Sequence, residues 1–155
     1  MKYLRRRQVS TILSLDPGGT TGYALFDVQA DEFPELIQRG QIAGGLKGFI
    51  DFVDDVLDEK IIDAIVCESF TLREGVYGAD LSPVYIIGAL EGMYGKLIPI
   101  KYQEPKIKPL CDDTRLKKLG LHLPGKPHAN DAVRHFIISM RNSKHKPTLE
   151  AGWKE

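Results

Sequence analysis

Four residues in this chain have the types and the spacing to do chemistry together: Asp16, Glu68, His128 and Asp131. Asp16 follows an apolar run containing Val9, Ile12, Leu13 and Leu15. It precedes Pro17-Gly18-Gly19-Thr20-Thr21, a tight turn that leaves nothing bulky beside the carboxylate. Glu68 ends a second apolar run, IIDAIVCE. His128 and Asp131 are three apart at the start of a helical pattern, so they share a face. A carboxylate at the end of a buried strand is expensive unless a cation or a donor meets it. Oxygen-rich clusters of this kind suit Mg²⁺ or Mn²⁺. Two such ions about 4 Å apart can activate a water and stabilise the leaving oxygen of a phosphodiester. No Ser/His/Asp or Cys/His arrangement competes at comparable spacing. Taken singly, each residue also has a plainer reading. Asp16 can cap an Asp-Pro-Gly turn, Glu68 can pair with a lysine, and Asp131 can be a first-turn carboxylate favoured by the helix dipole.

The elements that must position these groups follow from hydrophobic periodicity. Residues 9–16 are too apolar for an exposed edge and predict a central strand. Residues 22–28 run back beside it, 29–34 form a polar turn with Pro34, and 35–42 complete an antiparallel meander. Residues 46–60 predict a helix with Leu46, Phe49, Ile50, Val53, Val56 and Leu57 on one stripe. Asp51, Asp54, Asp55 and Asp58 lie opposite and read as a solvated face, turned away from any polyanion. Residues 61–68 are a fourth strand. A strand–helix–strand crossover sets it parallel to the first and next to it. Asp16 and Glu68 then sit side by side at the carboxyl ends of adjacent parallel strands, where ligands bind in open α/β sheets. Beyond a loop at 70–80, residues 81–94 predict a helix capped by Ser82 or Asp80, and 97–102 a fifth strand. Residues 106–125 read as a basic, irregular region. Residues 128–140 are the last helix, with Ala132, Val133, Phe136 and Ile137 apolar. The expected division is a basic N-terminal segment at 1–8, one domain at 9–142 and a basic, mobile tail at 143–155.

A chain of 155 residues accommodates one domain with a full core. No apolar run reaches the roughly 20 residues that span a membrane, and the basic N-terminus lacks the apolar segment of a signal peptide. Cys67 and Cys111 are the only cysteines, without metal-ligand spacing, which suggests a reducing compartment such as the cytoplasm. The net charge of zero hides an asymmetry. Residues 27–63 carry ten acidic and three basic side chains, whereas residues 101–146 carry four acidic and eleven basic ones. So basic a segment in a neutral protein suggests a face for a polyanion, although solvation alone also accounts for charge runs.

In their order, these blocks resemble the RuvC-type Holliday-junction resolvases of the ribonuclease H-like superfamily. The matching residues are Asp16-Pro17-Gly18 with Thr21-Gly22-Tyr23, then Glu68 with Phe70 close behind, then His128-Ala129-Asn130-Asp131-Ala132 on the closing helix. Pro105 and Lys108 resemble the family's Pro-x-x-Lys after strand five. The family places an Asp or a His three residues before its last Asp, so His128 fits as a metal-site residue. The stretch between Pro105 and His128 is shorter than in bacterial resolvases, and short relatives of this kind are common in bacteriophages.

The resemblance implies a ribonuclease H-like α/β fold: a five-stranded mixed sheet, order 3-2-1-4-5, flanked by helices. It implies Mg²⁺-dependent (or Mn²⁺-dependent) endonucleolytic cleavage of branched DNA, above all Holliday junctions, in a bacterial cytoplasm. Asp16 is expected to bridge two ions per site, Glu68 and Asp131 to complete their coordination, and His128 to ligate one ion or orient the attacking water. Two symmetric nicks imply a homodimer. The helix at 81–94 is its expected interface, because Leu81, Val84, Tyr85, Ile87, Leu90 and Met93 wrap more than one face; a helix central to its own core fits equally. Phe70, Arg73 and Tyr77, in the loop after Glu68, are expected to stack on unpaired bases and hold a phosphate. Lys106, Lys108, Arg115, Lys117 and Lys118 are expected to contact DNA. Alternatives are a flap or structured-RNA nuclease of the same fold and a non-catalytic nucleic-acid-binding module. A further one is an ATP-binding domain like the actin and sugar-kinase superfamily, whose phosphate loop resembles residues 16–21. That last reading needs a second, similar domain.

Overall fold

Alternation along the first strands sets the layers of the structure, a computed structural model that describes residues 8–72, 74–75 and 77–154. In β1 (Ser10–Asp16), Leu13 and Leu15 point to one face of the sheet, and Ser14 and Asp16 to the other. β2 (Thr20–Gln29) runs back antiparallel, with Asp16 opposite Gly22. β3 (Glu32–Ala43) pairs antiparallel with β2 at the sheet edge. β4 (Ala64–Glu68) lies parallel to β1, Leu15 beside Cys67, and β5 (Ile100–Gln103) lies parallel to β4, Glu68 beside Gln103. The sheet order is β3-β2-β1-β4-β5, the order expected from the sequence.

Two cores form, one on each face. Leu13, Leu15, Tyr23, Leu25, Ile65 and Cys67 pack under α1 (Gly45–Phe52), its π-helical continuation Val53–Leu57, and α2 (Ser82–Tyr94). On the other face, α4 (Pro127–Asn142) lays Ala132, Val133, Phe136 and Ile137 over Ala24 and Phe26. The Phe26 and Phe136 rings stack with centroids 3.8 Å apart. Ser14, otherwise an unpartnered hydroxyl in that core, donates to the Ala132 carbonyl at 2.6 Å.

Several expectations need correction. The polar turn before β3 shrinks to Ala30 and Asp31, because an edge strand tolerates Pro34. Ile50, placed on the buried stripe, is partly exposed at the margin of α1. Residues 106–125 are not irregular throughout: a 3₁₀ helix (Pro105–Cys111) leads into α3 (Asp113–Lys118), capped by Asp112 accepting from the Arg115 amide at 2.9 Å. The cap of α2 falls to Asp80, which accepts from the Ser82 amide at 2.9 Å. The C-terminal stretch holds a docked helix, α5 (Lys146–Gly152), rather than a loose tail. Thr148 is buried, His145 bonds the Gln29 carbonyl at 2.6 Å, and Trp153 packs against the second core. Residues 1–7 lie outside the described residues.

Candidate metal centre

The alternation that buries Leu13 and Leu15 on one side turns Asp16 toward α4 on the other, and the same parity turns Glu68 that way at the end of β4. Asp131 arrives from the first turns of α4. Gly22 makes that approach possible: a Cβ there would lie 1.8 Å from the His128 carbonyl oxygen, so any side chain would push the start of α4 off the sheet. Gln41 of β3, in register with Gly22, accepts from the His128 amide at 3.0 Å and helps hold that helix start. As a result Asp16, Glu68 and Asp131 each offer an oxygen, all within 4.8 Å of one another. His128 Nδ1 lies 3.4 Å from Asp16 Oδ2, with its side chain 46% exposed.

Electrostatics show what this proximity does. Asp16 is only 7% exposed. Burial, reinforced by the like charges of Glu68 and Asp131, pushes its carboxyl up to about 8. Burial acts on Glu68 in the same sense. There the hydrogen bond and charge of His135, with help from Lys108, outweigh it and hold the carboxyl below its ordinary value. The Lys108 ammonium sits 3.1 Å from Asp131 Oδ2 and 3.4 Å from Glu68 Oε2. Its own burial works against its charge, but these carboxylates prevail and raise its pKa. Asp131 also meets Arg134 Nη1 at 3.3 Å, while Arg134 Nε donates to the Cys111 carbonyl and Nη2 to Asp113.

Three carboxylates that meet at a strand end, one of them buried enough to resist ionising, fit a divalent cation with hard oxygen ligands. The four residues first singled out are therefore brought together, and Lys108 joins them. Sequence reasoning missed His135, which is fully buried with Nε2 2.6 Å from Glu68 Oε2, and Arg134. The available signal for His135 was a lone imidazole inside the apolar stripe of α4, four residues after Asp131.

The expected DNA-contact residues divide. Phe70 is half-buried in a cleft of about 400 Å³ beside Glu68, also lined by Pro17, Pro83 and Pro105. Tyr77 is 97% exposed. Arg73 lies outside the described residues. Lys106 is exposed and pairs with Glu104 at 2.6 Å. Arg115 is committed elsewhere: Nη1 donates to the Gly152 carbonyl at 2.6 Å, and its guanidinium lies 4.4 Å from the centre of the Trp153 ring. Lys117 and Lys118 are exposed on α3, with Lys118 reaching the Lys154 carbonyl at 3.3 Å. No helix among the described residues is long and apolar enough to cross a membrane.

No protein-family model matches the chain, and no curated protein does. Solved structures do. Thermus thermophilus RuvC in complex with a Holliday-junction substrate is 13% identical with a TM-score of 0.64, covering 88% of this chain and 97% of RuvC. A second Thermus thermophilus RuvC structure is 15% identical with a TM-score of 0.59, covering 87% and 97%. The Fowlpox virus resolvase, solved with Holliday junction DNA, is 16% identical with a TM-score of 0.51, covering 91% and 94%. At these identities the likeness is one of fold, and the fold is the ribonuclease H-like one of RuvC-type resolvases.

Proposed function

We propose that this chain is a divalent-metal-dependent endonuclease that cleaves branched DNA, Holliday junctions above all, as a homodimer. The observation that carries the reading is the convergence of Asp16, Glu68 and Asp131 within 4.8 Å at the carboxyl ends of β1 and β4. It occurs on a fold shared with proteins solved on Holliday junctions. Asp16, Glu68 and Asp131 would hold Mg²⁺ or Mn²⁺, two ions per site. Such ions supply activation of the attacking water and neutralisation of charge on the leaving oxygen.

The chain's own groups have separate tasks. Asp16 and Glu68, at the ends of two hydrogen-bonded parallel strands, fix the ligand oxygens without a loop between them. His128 is half exposed beside Asp16, so its imidazole can orient a water or take its proton. Lys108 brings a positive charge to the same point, suited to the phosphate being cleaved. Tyr77 is exposed in the loop after Glu68 and, with Phe70, would select unstacked bases at a branch point, while Arg73 would hold a phosphate. The dimer would form through α2, whose outer face exposes Leu81, Val84 and Tyr85 and has open space at Gly88 and Gly92.

The test is cleavage of four-way junctions, flaps, continuous duplex and structured RNA, with Mg²⁺ or with excess chelator. Preferential, symmetric nicking of the junction that stops in chelator is the expected result. Full activity in chelator overturns the mechanism, and preference for flaps or RNA overturns the substrate. A monomeric mass by light scattering, unchanged by junction DNA, overturns the dimer.

A further inference from the structure

We infer that His135 is a positioning residue for the metal centre: it fixes the Glu68 carboxylate from inside the core. The inference rests on the cation-binding reading above. It starts from an incongruity in α4. From Ala132 to Ile138 the helix is buried, and apart from Arg134, whose guanidinium is met by the Cys111 carbonyl, Asp113 and Asp131, the residues beside His135 are apolar: Ala132, Val133, Phe136 and Ile137 are all fully buried. An imidazole at the same depth is costly unless both ring nitrogens are met. Both are. Nε2 lies 2.6 Å from Glu68 Oε2, and Nδ1 lies 2.8 Å from Gln103 Oε1. Those two partners come from paired positions on β4 and β5, so one side chain of α4 ties the ends of two parallel strands.

Glu68 needs such a tie more than its companions do. Asp131 is braced by Arg134, which is itself anchored to the Cys111 carbonyl and Asp113. Asp16 is short and buried. Glu68 has one more rotatable bond, ends a strand of five residues, and among the described residues is otherwise met by the partly exposed Lys108 and by the carboxyl of Asp16, itself a member of the cluster. An outer partner that holds a ligand carboxylate in one orientation commonly changes metal affinity by about 10–100-fold when removed. A histidine kept merely as core filling would not be missed when an aliphatic side chain of similar size took its place.

The experiment uses three variants of the full chain. His135→Leu removes both ring nitrogens. His135→Gln restores an N–H at the position of Nε2, facing Glu68. His135→Asn restores one only at the position of Nδ1, facing Gln103. Mn²⁺ affinity is read by electron paramagnetic resonance titration, with thermal unfolding in chelator to verify folding. The expected result is a loss of about 10–100-fold for His135→Leu and His135→Asn and substantial recovery for His135→Gln. Wild-type Mn²⁺ affinity in folded His135→Leu overturns the inference. If the wild type binds no Mn²⁺, or Asp16→Asn binds it equally well, the metal reading itself fails. The ¹⁵N-histidine spectrum of the metal-free protein then decides for His135. A protected Nε2–H resonance that moves in Glu68→Gln keeps its hold on Glu68, and the absence of that resonance overturns it.

Discussion

Like charges are crowded together at two places in this molecule, and the two are handled in opposite ways. At the carboxyl ends of β1 and β4, three carboxylates meet within 4.8 Å. At the corner between α3 and the C-terminus, Arg115 and Arg141 flank one ring, with their guanidinium carbons 4.4 and 5.6 Å from the centre of Trp153. The cationic corner is held by its neighbours, although Arg115 Nε is left without a hydrogen-bond partner among the described residues. The ring's π face attracts both guanidiniums, and Arg115 also donates to the Gly152 carbonyl. The acidic centre is not held in this way. Lys108, His135 and Arg134 compensate Glu68 and Asp131, yet Asp16 stays buried with its carboxyl pushed up to about 8. The corner is a staple that docks the C-terminal helix. The centre stores electrostatic frustration that a bound cation would relieve.

That contrast can be broken or sharpened by substitution. The largest effect belongs to the centre. Asp16→Asn should lower junction cleavage by at least about 10²–10³-fold, the scale of losing one charge-stabilising group, while leaving junction binding nearly intact. Single-turnover cleavage and a gel-shift titration on the same preparation check both halves. Equal activity in the variant removes the centre from the chemistry.

Shape selection should depend on neither region but on the loop after β4. Tyr77→Ala should reduce the preference for junction over continuous duplex, by about 1–3 kcal/mol if one base is stacked, with Phe70→Ala compared alongside. An unchanged ratio in both folded variants shifts selection to the basic segment. Trp153→Ala should then test the staple. Loss of two cation–π contacts and some apolar packing should destabilise the fold by about 1–2 kcal/mol, with cleavage per folded molecule unchanged. Neutralising Lys117 and Lys118 should have the smallest effect: similarly weaker binding to every DNA shape, with the salt dependence shallower by at most about 2 in slope. A junction-specific loss would instead make α3 part of the selector.

The contrast also shows which parts of the molecule could be read from the chain. Sheet order and the faces of β1 and β4 were legible because apolar alternation and a crossover leave little topological choice. Asp16, Glu68 and Asp131 were legible because each ends or begins an apolar element, where a carboxylate is out of place unless something needs it. His135 was hidden in a helical stripe, since its partners come from β4 and β5, 67 and 32 residues away along the chain. Arg115 looked like a DNA contact because a run of basic residues carries no sign of which one a distant Trp153 will claim. The seven residues of α5 are too short to stand as a helix by periodicity, and their stability comes from docking.

The central claim, that the acidic centre is strained until a cation enters, is tested most directly by thermal stability against pH, with and without Mn²⁺, for wild type and Asp16→Asn. The folded chain binds a proton at Asp16 up to about pH 8, whereas the ordinary value is 3.8. Stability from that protonated carboxyl is therefore full in acid and lost as pH rises through this window. In chelator, the wild type should fall progressively below Asp16→Asn between about pH 4 and pH 8, ending on the order of 10 °C lower. Mn²⁺ at about pH 8 should raise the wild type and leave the variant nearly unmoved. A gap that does not change with pH, or an equal Mn²⁺ response in both proteins, would contradict the account.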